Sequence, residues 1–567
     1  MLRNLTLTII FQGRKKNISA RAADNLLDVL RKFGMAPESP CGGTGKCGKC
    51  RVVTVEPHNK KRESVLACRI FLNCDLIVEI PEFNKYTVNS GEIIPECENK
   101  PYFFTEEIIL DENYPVLPDV LQKKCRAADH KTVWVIKKHG CPEKTLDIFT
   151  SRPRCLGLAV DLGTTTLAAV LYDLENGKQL SQSSMASSQR AFGHNVISRL
   201  QYSLQPNGLT ELQKLAAGDI TRLAENCCAA ANENTGDIYE TVVSGNTVMM
   251  HLAAGVSPET LAVVPFSPAI MGGNFKAGHL GIKIHNEAEI YFTRAIGSFV
   301  GGDITSGVLA LNLADAPRPL LFIDIGTNGE IVLFGEEKIF ACSAAAGPAF
   351  EGGNISCGMS AAGGAISSVK LMDQALRITT INNAQPAGIC GSGIFSLTAF
   401  MKEYNILDEY GSIQEPCFSG KYKFLNRYIA GSGGSTEFIV YNQNEKKYSL
   451  TQKDLREIQM AKSAIRSAID IMLLSAEIRP DDLKCVYIAG AFGSAIPVAD
   501  ALSIGLLPKL PPGKFRFCGN TSLQGSCLML ANMALREKAE QTAKKIQHKE
   551  IASHPRFQEL FADNMLF

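Results

Sequence analysis

Three thiols fall within ten positions in Pro40-Cys41-Gly42-Gly43-Thr44-Gly45-Lys46-Cys47-Gly48-Lys49-Cys50, and a fourth follows at Cys68, giving C-x5-C-x2-C-x17-C. Thiolates gathered this closely ligate a soft metal or an iron–sulfur cluster. The interleaved glycines let a loop take positive φ angles and bring bare backbone N–H groups close to inorganic sulfur, stabilising its negative charge. A four-cysteine zinc site is the rival. Zinc ribbons usually supply two C-x2-C pairs, whereas Cys68 has no partner at that spacing and Cys74 lies six residues on. The spacing favours a 2Fe–2S cluster held by Cys41, Cys47, Cys50 and Cys68.

A second kind of chemistry is written twice. Leu156 to Asp161 is an apolar strand that runs into Leu162-Gly163-Thr164-Thr165-Thr166 and then into another strand, Leu167 to Tyr172. Pro319 to Asp324 repeats the design with Ile325-Gly326-Thr327-Asn328-Gly329-Glu330, followed by the strand Ile331 to Phe334. A hairpin tip of Gly163, Thr164 and Thr165, or of Gly326, Thr327 and Asn328, offers N–H and hydroxyl donors to phosphate oxygens. The strand-end Asp161 and Asp324 can hold Mg2+ through water.

Paired in this way, the hairpins resemble the phosphate motifs of the superfamily that includes acetate and sugar kinases, actin and the large heat-shock chaperones. That resemblance implies a connecting helix before the second hairpin, which Gly301 to Leu313 supplies, with Asp303 near its start as a carboxylate for magnesium or the attacking water. It also implies a glycine turn beside the adenosine, matched by Cys485-Val486-Tyr487-Ile488-Ala489-Gly490-Ala491-Phe492-Gly493, with Gly490 and Gly493 at its border. Glu240 to Thr247 is a comparable strand-to-glycine turn carrying Gly245 and Asn246, so the two halves read as a diverged duplication.

The elements that must position these groups are also legible. Asn4 to Gln12 alternates like a strand with Lys16 to Ala20 as its hairpin partner. Asp24 can cap a helix through Phe33 whose apolar face is Leu26, Leu27, Val29 and Leu30. Further strands are expected at Arg51–Glu56 and Asp75–Ile80. This order resembles the β-grasp fold of 2Fe–2S ferredoxins, although the first cysteine gap is one residue longer than the plant-type spacing. Prolines punctuate residues 83–116 as in a linker. Residues 117–154 predict a small unit with a helix near Asp119–Arg126 and a strand at Thr132–Lys137. Of the clusters Ala346-Gly347-Pro348-Ala349-Phe350-Glu351-Gly352-Gly353 and Gly388 to Gly393, the second precedes an apolar helical stretch and could meet an anion at a helix N-terminus, while sharp turns in a packed domain account for both equally well. His251, in an apolar run, reads as a core residue.

Bulk composition excludes several classes. At 567 residues the chain needs three or four domains, and its net charge of +1 offers no field for nucleic acid. The apolar stretch Leu5 to Phe11 is too short for a signal peptide or membrane span. Eighteen cysteines without such a signal imply reduced thiols and a cytoplasmic setting. No Walker-type glycine-lysine loop is present.

The combination is similar to the ATP-dependent reductive activators of corrinoid proteins. The resemblance rests on the cysteine loop, Asp161 to Thr166, Ser244-Gly245-Asn246-Thr247, Phe299 to Asp303, Asp324 to Glu330, Gly347 to Glu351 and Ile488 to Gly493. It implies a multidomain α/β and α+β chain: a β-grasp 2Fe–2S ferredoxin-like domain over residues 1–82, a linker and middle segment, and a two-lobed actin-like (ribonuclease H-like) ATPase domain over 155–567. Lobes are expected near 155–315 and 316–530, with a C-terminal tail over 531–567. The implied activity is ATP-dependent transfer of one electron from the cluster to a corrinoid protein, Co(II) to Co(I). A low-potential ferredoxin or flavoprotein would be the donor, and a homodimer is compatible with the pattern. The rival functions are a redox-sensing ATPase or kinase, and an activator of another low-potential acceptor. For the base of ATP hydrolysis, Asp303 and Glu330 are the candidates. The family pattern leads one to expect Asp at position 195, where this chain has Asn195.

Overall fold

The computed structural model describes residues 4–11, 14–33, 35–37, 45, 50–57, 62–80, 96–109, 132–140, 144–193, 195–431, 435–443, 446–490 and 497–567. The N-terminal unit is a five-stranded sheet, ordered β2-β1-β5-β3-β4, built from β1 (Asn4–Phe11), β2 (Arg14–Arg21), β3 (Arg51–Val55), β4 (Arg62–Leu66) and β5 (Leu76–Glu79). Alternation in β1 turns Leu5, Leu7 and Ile9 onto one buried face. Because β1 and β5 are parallel, the chain must cross over between them, and the helix Leu26–Lys32 lies on that crossing with Leu26, Leu27 and Leu30 in the core. Its cap is Asn25, whose side chain accepts from the N–H groups of Leu27 and Asp28. Asp24, expected in that role, instead accepts from the Arg21 N–H at 2.8 Å and closes the preceding turn. The strand β4 was not anticipated, because its side chains are mostly exposed and carry no apolar alternation.

Residues 103–109, expected within the linker, form strand β6 (Phe103–Ile109), which pairs antiparallel with β7 (Thr132–Lys138), itself paired with β8 (Lys144–Phe149). Phe103 is fully buried and anchors this small sheet. The helix expected at Asp119–Arg126 lies outside the described residues.

The remaining chain forms two lobes of the actin-like kind, each on a mixed sheet with the same winding. In the first lobe, β9 (Leu156–Leu162), β10 (Thr166–Asp173), β11 (Lys178–Ala186), β12 (Ile238–Gly245), β13 (Gly273–Lys276) and β14 (Glu289–Phe292) are ordered β11-β10-β9-β12-β14-β13. In the second, β15 (Leu320–Ile325), β16 (Gly329–Phe334) and β17 (Ile339–Ala344) pair antiparallel in turn. Beyond two three-stranded inserts, β18 (Ala365–Met372), β19 (Ala375–Thr380), β20 (Gly388–Ile389), and β21 (Ile429–Ala430), β22 (Glu437–Gln443), β23 (Lys446–Thr451), the lobe is completed by β24 (Cys485–Ala489), β25 (Phe515–Phe517) and β26 (Ile546–His548). Its order, β25-β24-β15-β16-β17-β26, repeats the first lobe around the strand that leads into each glycine hairpin, which is the duplication read from the sequence. Central strands covered on both faces read as continuous apolar runs, as Leu156–Val160 and Leu320–Ile323 do.

The lobes are joined by two helices. Gly302–Ala310 leads from the first lobe to the second, and Thr521–Ala531 returns across it. They touch backbone to backbone, since a Cβ on Gly525 would stand 2.1 Å from the Ser306 carbonyl oxygen. A buried knot of hydroxyls surrounds the crossing: Ser244 Oγ lies 2.5 Å from Ser306 Oγ and 2.8 Å from Thr293 Oγ1, and Ser526 donates to Ser244 at 2.7 Å. The chain then continues through the helix Met533–Lys545 into β26, which pairs parallel with β17, and the helix Phe557–Asp563 packs on Gln452–Ser475. Within the tail expected over 531–567, β26 and the helix Phe557–Asp563 thus pack on the second lobe, while Leu535 and Ala539 of Met533–Lys545 pack against the core of the first. Among the described residues no helix is long and apolar enough to cross a membrane.

Arg536 binds three parts of the molecule at one point. Its Nη2 lies 2.5 Å from Glu240 Oε1, with side chains 7% and 1% exposed, and its guanidinium lies 4.4 Å from the ring centres of both Tyr102 and Tyr291. Removing one member of such a pair strands the other charge in the core. Arg536→Ala is therefore expected to lower stability by about 3–5 kcal/mol, measured as the shift of a urea unfolding curve.

Candidate functional site

Cys50 begins β3 and Cys68 sits in the 3-10 turn Ala67–Arg69 that follows β4, so the hairpin pairing of Arg51 with Leu66 brings the two thiols side by side. Their sulfurs are 3.3 Å apart and both cysteines are free of disulfide bonding. The Asn25 side chain donates to the Cys68 carbonyl at 3.0 Å, and Arg69 Nη2 donates to the Gly45 carbonyl at 3.2 Å, tying the cysteine loop to the turn. Cys41 and Cys47 lie outside the described residues. Two converging thiols with no disulfide between them suit a cluster of thiolate-ligated iron, so the described pair, Cys50 and Cys68, fits the group the sequence implied.

The second site is the cleft between the lobes. Asp161 ends β9 opposite Ala168, and Asp324 ends β15 opposite Glu330. Asp161 is held by the returning helix: Asn520 Nδ2 and Ser522 Oγ each donate to it at 2.8 Å. Asp303 lies in the first turn of the connecting helix, its Oδ1 accepting from the Ile304 N–H at 2.9 Å. Glu330 is buried and accepts from the side chains of Ser343 and Asn328. Burial first, and then the neighbouring carboxylates Asp303 and Asp161, push Asp324 up to about 8. Asp303 is pushed up to about 7, again chiefly by burial, with Asp161 adding to it. Glu330 is raised for the same reasons. A divalent cation relieves such mutual repulsion. Among the described residues no three carboxylate, thiol or imidazole groups converge on one point. A cation here would therefore be shared with water and ligand oxygens, as Mg2+ prefers.

The hairpin tips face each other across this cleft. Thr165 Oγ1 and Thr327 Oγ1 are 3.4 Å apart, and both donate to the carboxylate of Glu351, at 2.7 Å and 3.0 Å. Gly163 allows the first tip to close, since a Cβ there would stand 2.2 Å from the Thr166 carbonyl. In the second, the Gly326 N–H donates to the Asn328 carbonyl at 2.8 Å. Gly490, at φ +96°, brings the turn after β24 against the second hairpin: a Cβ would stand 2.2 Å from the Ile325 carbonyl and 2.8 Å from Asp324 Oδ1. Gly493 lies outside the described residues. Gly245 ends β12, where a Cβ would stand 2.8 Å from the Leu162 carbonyl, and Asn246 caps the helix Thr247–Ala254 while donating to the Phe299 carbonyl at 2.8 Å.

Several participants were not singled out from the sequence. Glu351 was read as part of a glycine cluster and of the family resemblance, with no role of its own. Asn520 and Ser522 carry an N-cap signature before an apolar run, but nothing local indicates their partner. Arg199 is wholly buried, its guanidinium donating to the carbonyls of Thr164 at 2.5 Å and Gly193 at 2.9 Å. On the far side of this segment, Arg31 of the N-terminal unit donates to the Ala191 carbonyl at 2.8 Å and lies over the Phe192 ring. Residues 191–193 thus touch both Arg199, which supports the first glycine hairpin, and the cysteine-bearing unit. His251 is a core residue as expected: its ring bonds the Thr247 carbonyl and accepts from the N–H groups of Ala269 and Ile270.

Comparisons with known proteins follow this division. A family model for the 2Fe-2S iron-sulfur cluster binding domain matches residues 9–73, one for the RACo middle region matches 156–316, and one for the C-terminal domain of RACo, the ASKHA domain, matches 318–567. The corrinoid activation enzyme RamQ of Eubacterium limosum is 28% identical, with 99% of each chain covered. The [Co(II) methylated amine-specific corrinoid protein] reductase of Methanosarcina barkeri is 26% identical over 69% of this chain and 72% of its own. The solved structure of a reductive activator for a corrinoid, iron–sulfur protein superposes with a TM-score of 0.73 at 29% identity, covering 99% of this chain and 98% of that one.

The carboxylate cluster sets a pH dependence. Asp303 and Asp324 titrate higher in the folded protein than the ordinary carboxylate value near 4, so the native state keeps protons that the unfolded chain has released. Stability without divalent cations is expected to fall as pH rises from about 4 toward about 8, the upper end of the Asp324 shift. Asp324→Asn should flatten that slope in thermal melts taken across the range.

Proposed function

We infer that this chain belongs to the reductive activators of corrinoid proteins and uses ATP to drive one electron onto a corrinoid partner, reducing Co(II) to Co(I). The observation that carries this reading is the end-to-end correspondence with a solved reductive activator, domain for domain, across 99% of the chain. Cys41, Cys47, Cys50 and Cys68 would hold the 2Fe–2S cluster, which supplies a single low-potential electron when bound. Gly163, Thr164, Thr165, Gly326, Thr327 and Asn328 would cradle the phosphates, and Asp161, Asp303 and Asp324 would share Mg2+ with them. Gly490 and Gly493 would border the adenosine, with Gly245 and Asn246 shaping the opposite wall.

Nucleotide is needed for a thermodynamic reason. A donor near about −400 mV is asked to reduce an acceptor at lower potential, and each ~59 mV of mismatch costs a factor of ten for one electron. Residues of this chain can offset that factor by making partner affinity depend on lobe closure. The placement of Arg31 against residues 191–193 offers a route, because that segment is fixed from behind by the same Arg199 that supports the first hairpin. A low-potential ferredoxin or flavoprotein fits as upstream donor, the reduced thiols fit a cytoplasmic setting, and a homodimer is compatible with the reading.

Anaerobic mixing with a Co(II) corrinoid protein and a low-potential reductant should give the Co(I) absorption spectrum only when ATP is added, and Asp324→Ala should abolish it. Cluster reduction without Co(I), across several corrinoid partners, would move the acceptor elsewhere. Arg31→Ala should leave ATP hydrolysis and cluster reduction intact while slowing ATP-dependent Co(I) formation by about tenfold, the scale of a coupling energy near 1.4 kcal/mol.

A further inference from the structure

Glu351 stands where the two hairpins meet. Its two oxygens divide between the lobes: Oε2 accepts from Thr165 of the first hairpin, and Oε1 accepts from Thr327 of the second. The residue as a whole is half-buried. The turn that carries it is rigid. Phe350, fully buried, stacks on Phe395 at 4.5 Å, and the N–H groups of Glu351, Gly352 and Gly353 donate back to the carbonyls of Pro348, Ala349 and Pro348. Gly352, at φ +75°, packs so closely that a Cβ would stand 2.7 Å from the Met359 nitrogen. The carboxylate is therefore aimed by the fold rather than by its own rotamer.

Each threonine has one O–H to give. If phosphate takes those donors, the carboxylate loses both hydrogen bonds at once, and a half-buried carboxylate without donors binds water in their place. That water would lie between Glu351 and the terminal phosphate, because the same two hydroxyls define both positions. We propose that Glu351 is the general base of ATP hydrolysis, unmasked when the terminal phosphate takes over the hydroxyls of Thr165 and Thr327. The water oxygen bonds to the γ-phosphorus as the bond to the β,γ-bridging oxygen breaks. ADP departs with that electron pair, and the water proton passes to Glu351. Burial raises the proton affinity of this carboxyl, as the role requires, while the charges of Arg190 and Arg199 restrain it. Asp303 and Glu330, the candidates from sequence, are turned to other partners: Asp303 to its own helix N-terminus and Glu330 to Ser343 and Asn328.

This assignment rests on the nucleotide-binding reading above, and the test separates the two. ATP binding to the full chain is measured by calorimetry and turnover by phosphate release. Glu351→Gln, which can still bond both threonines, should bind ATP within about threefold of wild type and hydrolyse it about 100-fold or more slowly. If wild type binds and hydrolyses ATP and Glu351→Gln does so within about threefold, the assignment is overturned and the nucleotide reading stands. Loss of ATP binding in Glu351→Gln alongside its turnover would make the residue a strut for the cleft and overturn the assignment too. A wild-type chain that binds no ATP overturns both readings. Should Glu351→Gln not fold, Glu351→Asp decides: unchanged affinity with depressed turnover supports the base, and unchanged turnover refutes it.

Discussion

The molecule is organised by one close approach. Where the connecting helix Gly302–Ala310 and the returning helix Thr521–Ala531 cross, Gly525 leaves no space for even a methyl group against the Ser306 backbone. Each helix delivers chemistry from that crossing: the first carries Asp303, and the second starts with Asn520 and Ser522, which hold Asp161. Closely packed backbones do not deform gradually. The crossing therefore fixes where Asp303 and the partners of Asp161 stand relative to one another, with the hydroxyls of Ser244, Ser306 and Ser526 buried around it.

The cleft is anionic by construction. Carboxylates from both lobes and from the connecting helix share it, while the nearest buried guanidinium, Arg199, is spent on the carbonyls of Thr164 and Gly193 behind the hairpin. In the nucleotide-binding reading proposed above, positive charge at the phosphates would come from a bound cation and from backbone N–H groups. On that reading the site would discriminate between cation-loaded and bare nucleotide through electrostatics, before any shape is read.

What was legible in the sequence was local. The hairpins showed themselves because strand, aspartate, glycine and threonine are contiguous, and the thiols because a loop around sulfur needs glycine. The repeated strand order followed from recognising the hairpins twice. Groups whose meaning depends on distant partners stayed hidden. Ser522 is 361 positions from Asp161, and Glu351 is 186 positions from Thr165, so no window joins them. Strand β4 was missed because exposure erased its alternation, and β6 because prolines around it read as linker. Asn195 resolves simply: its Oδ1 caps the helix Val196–Ser203 by accepting from the Ser198 N–H at 2.8 Å, a bond that an aspartate oxygen would also make.

The chain order of the sheets has a consequence for biosynthesis. All five strands of the N-terminal unit lie within residues 4–79, so it can fold as soon as that length has left the ribosome. The second lobe waits much longer, since its edge strand β26 (Ile546–His548) pairs with β17, and the first lobe's β9 waits for the returning helix that holds Asp161. Contacts this distant in sequence form late. A nascent chain therefore owns a complete redox module while its nucleotide cleft is still in pieces: the cluster can be installed first, and the part that governs when its electron leaves is finished last.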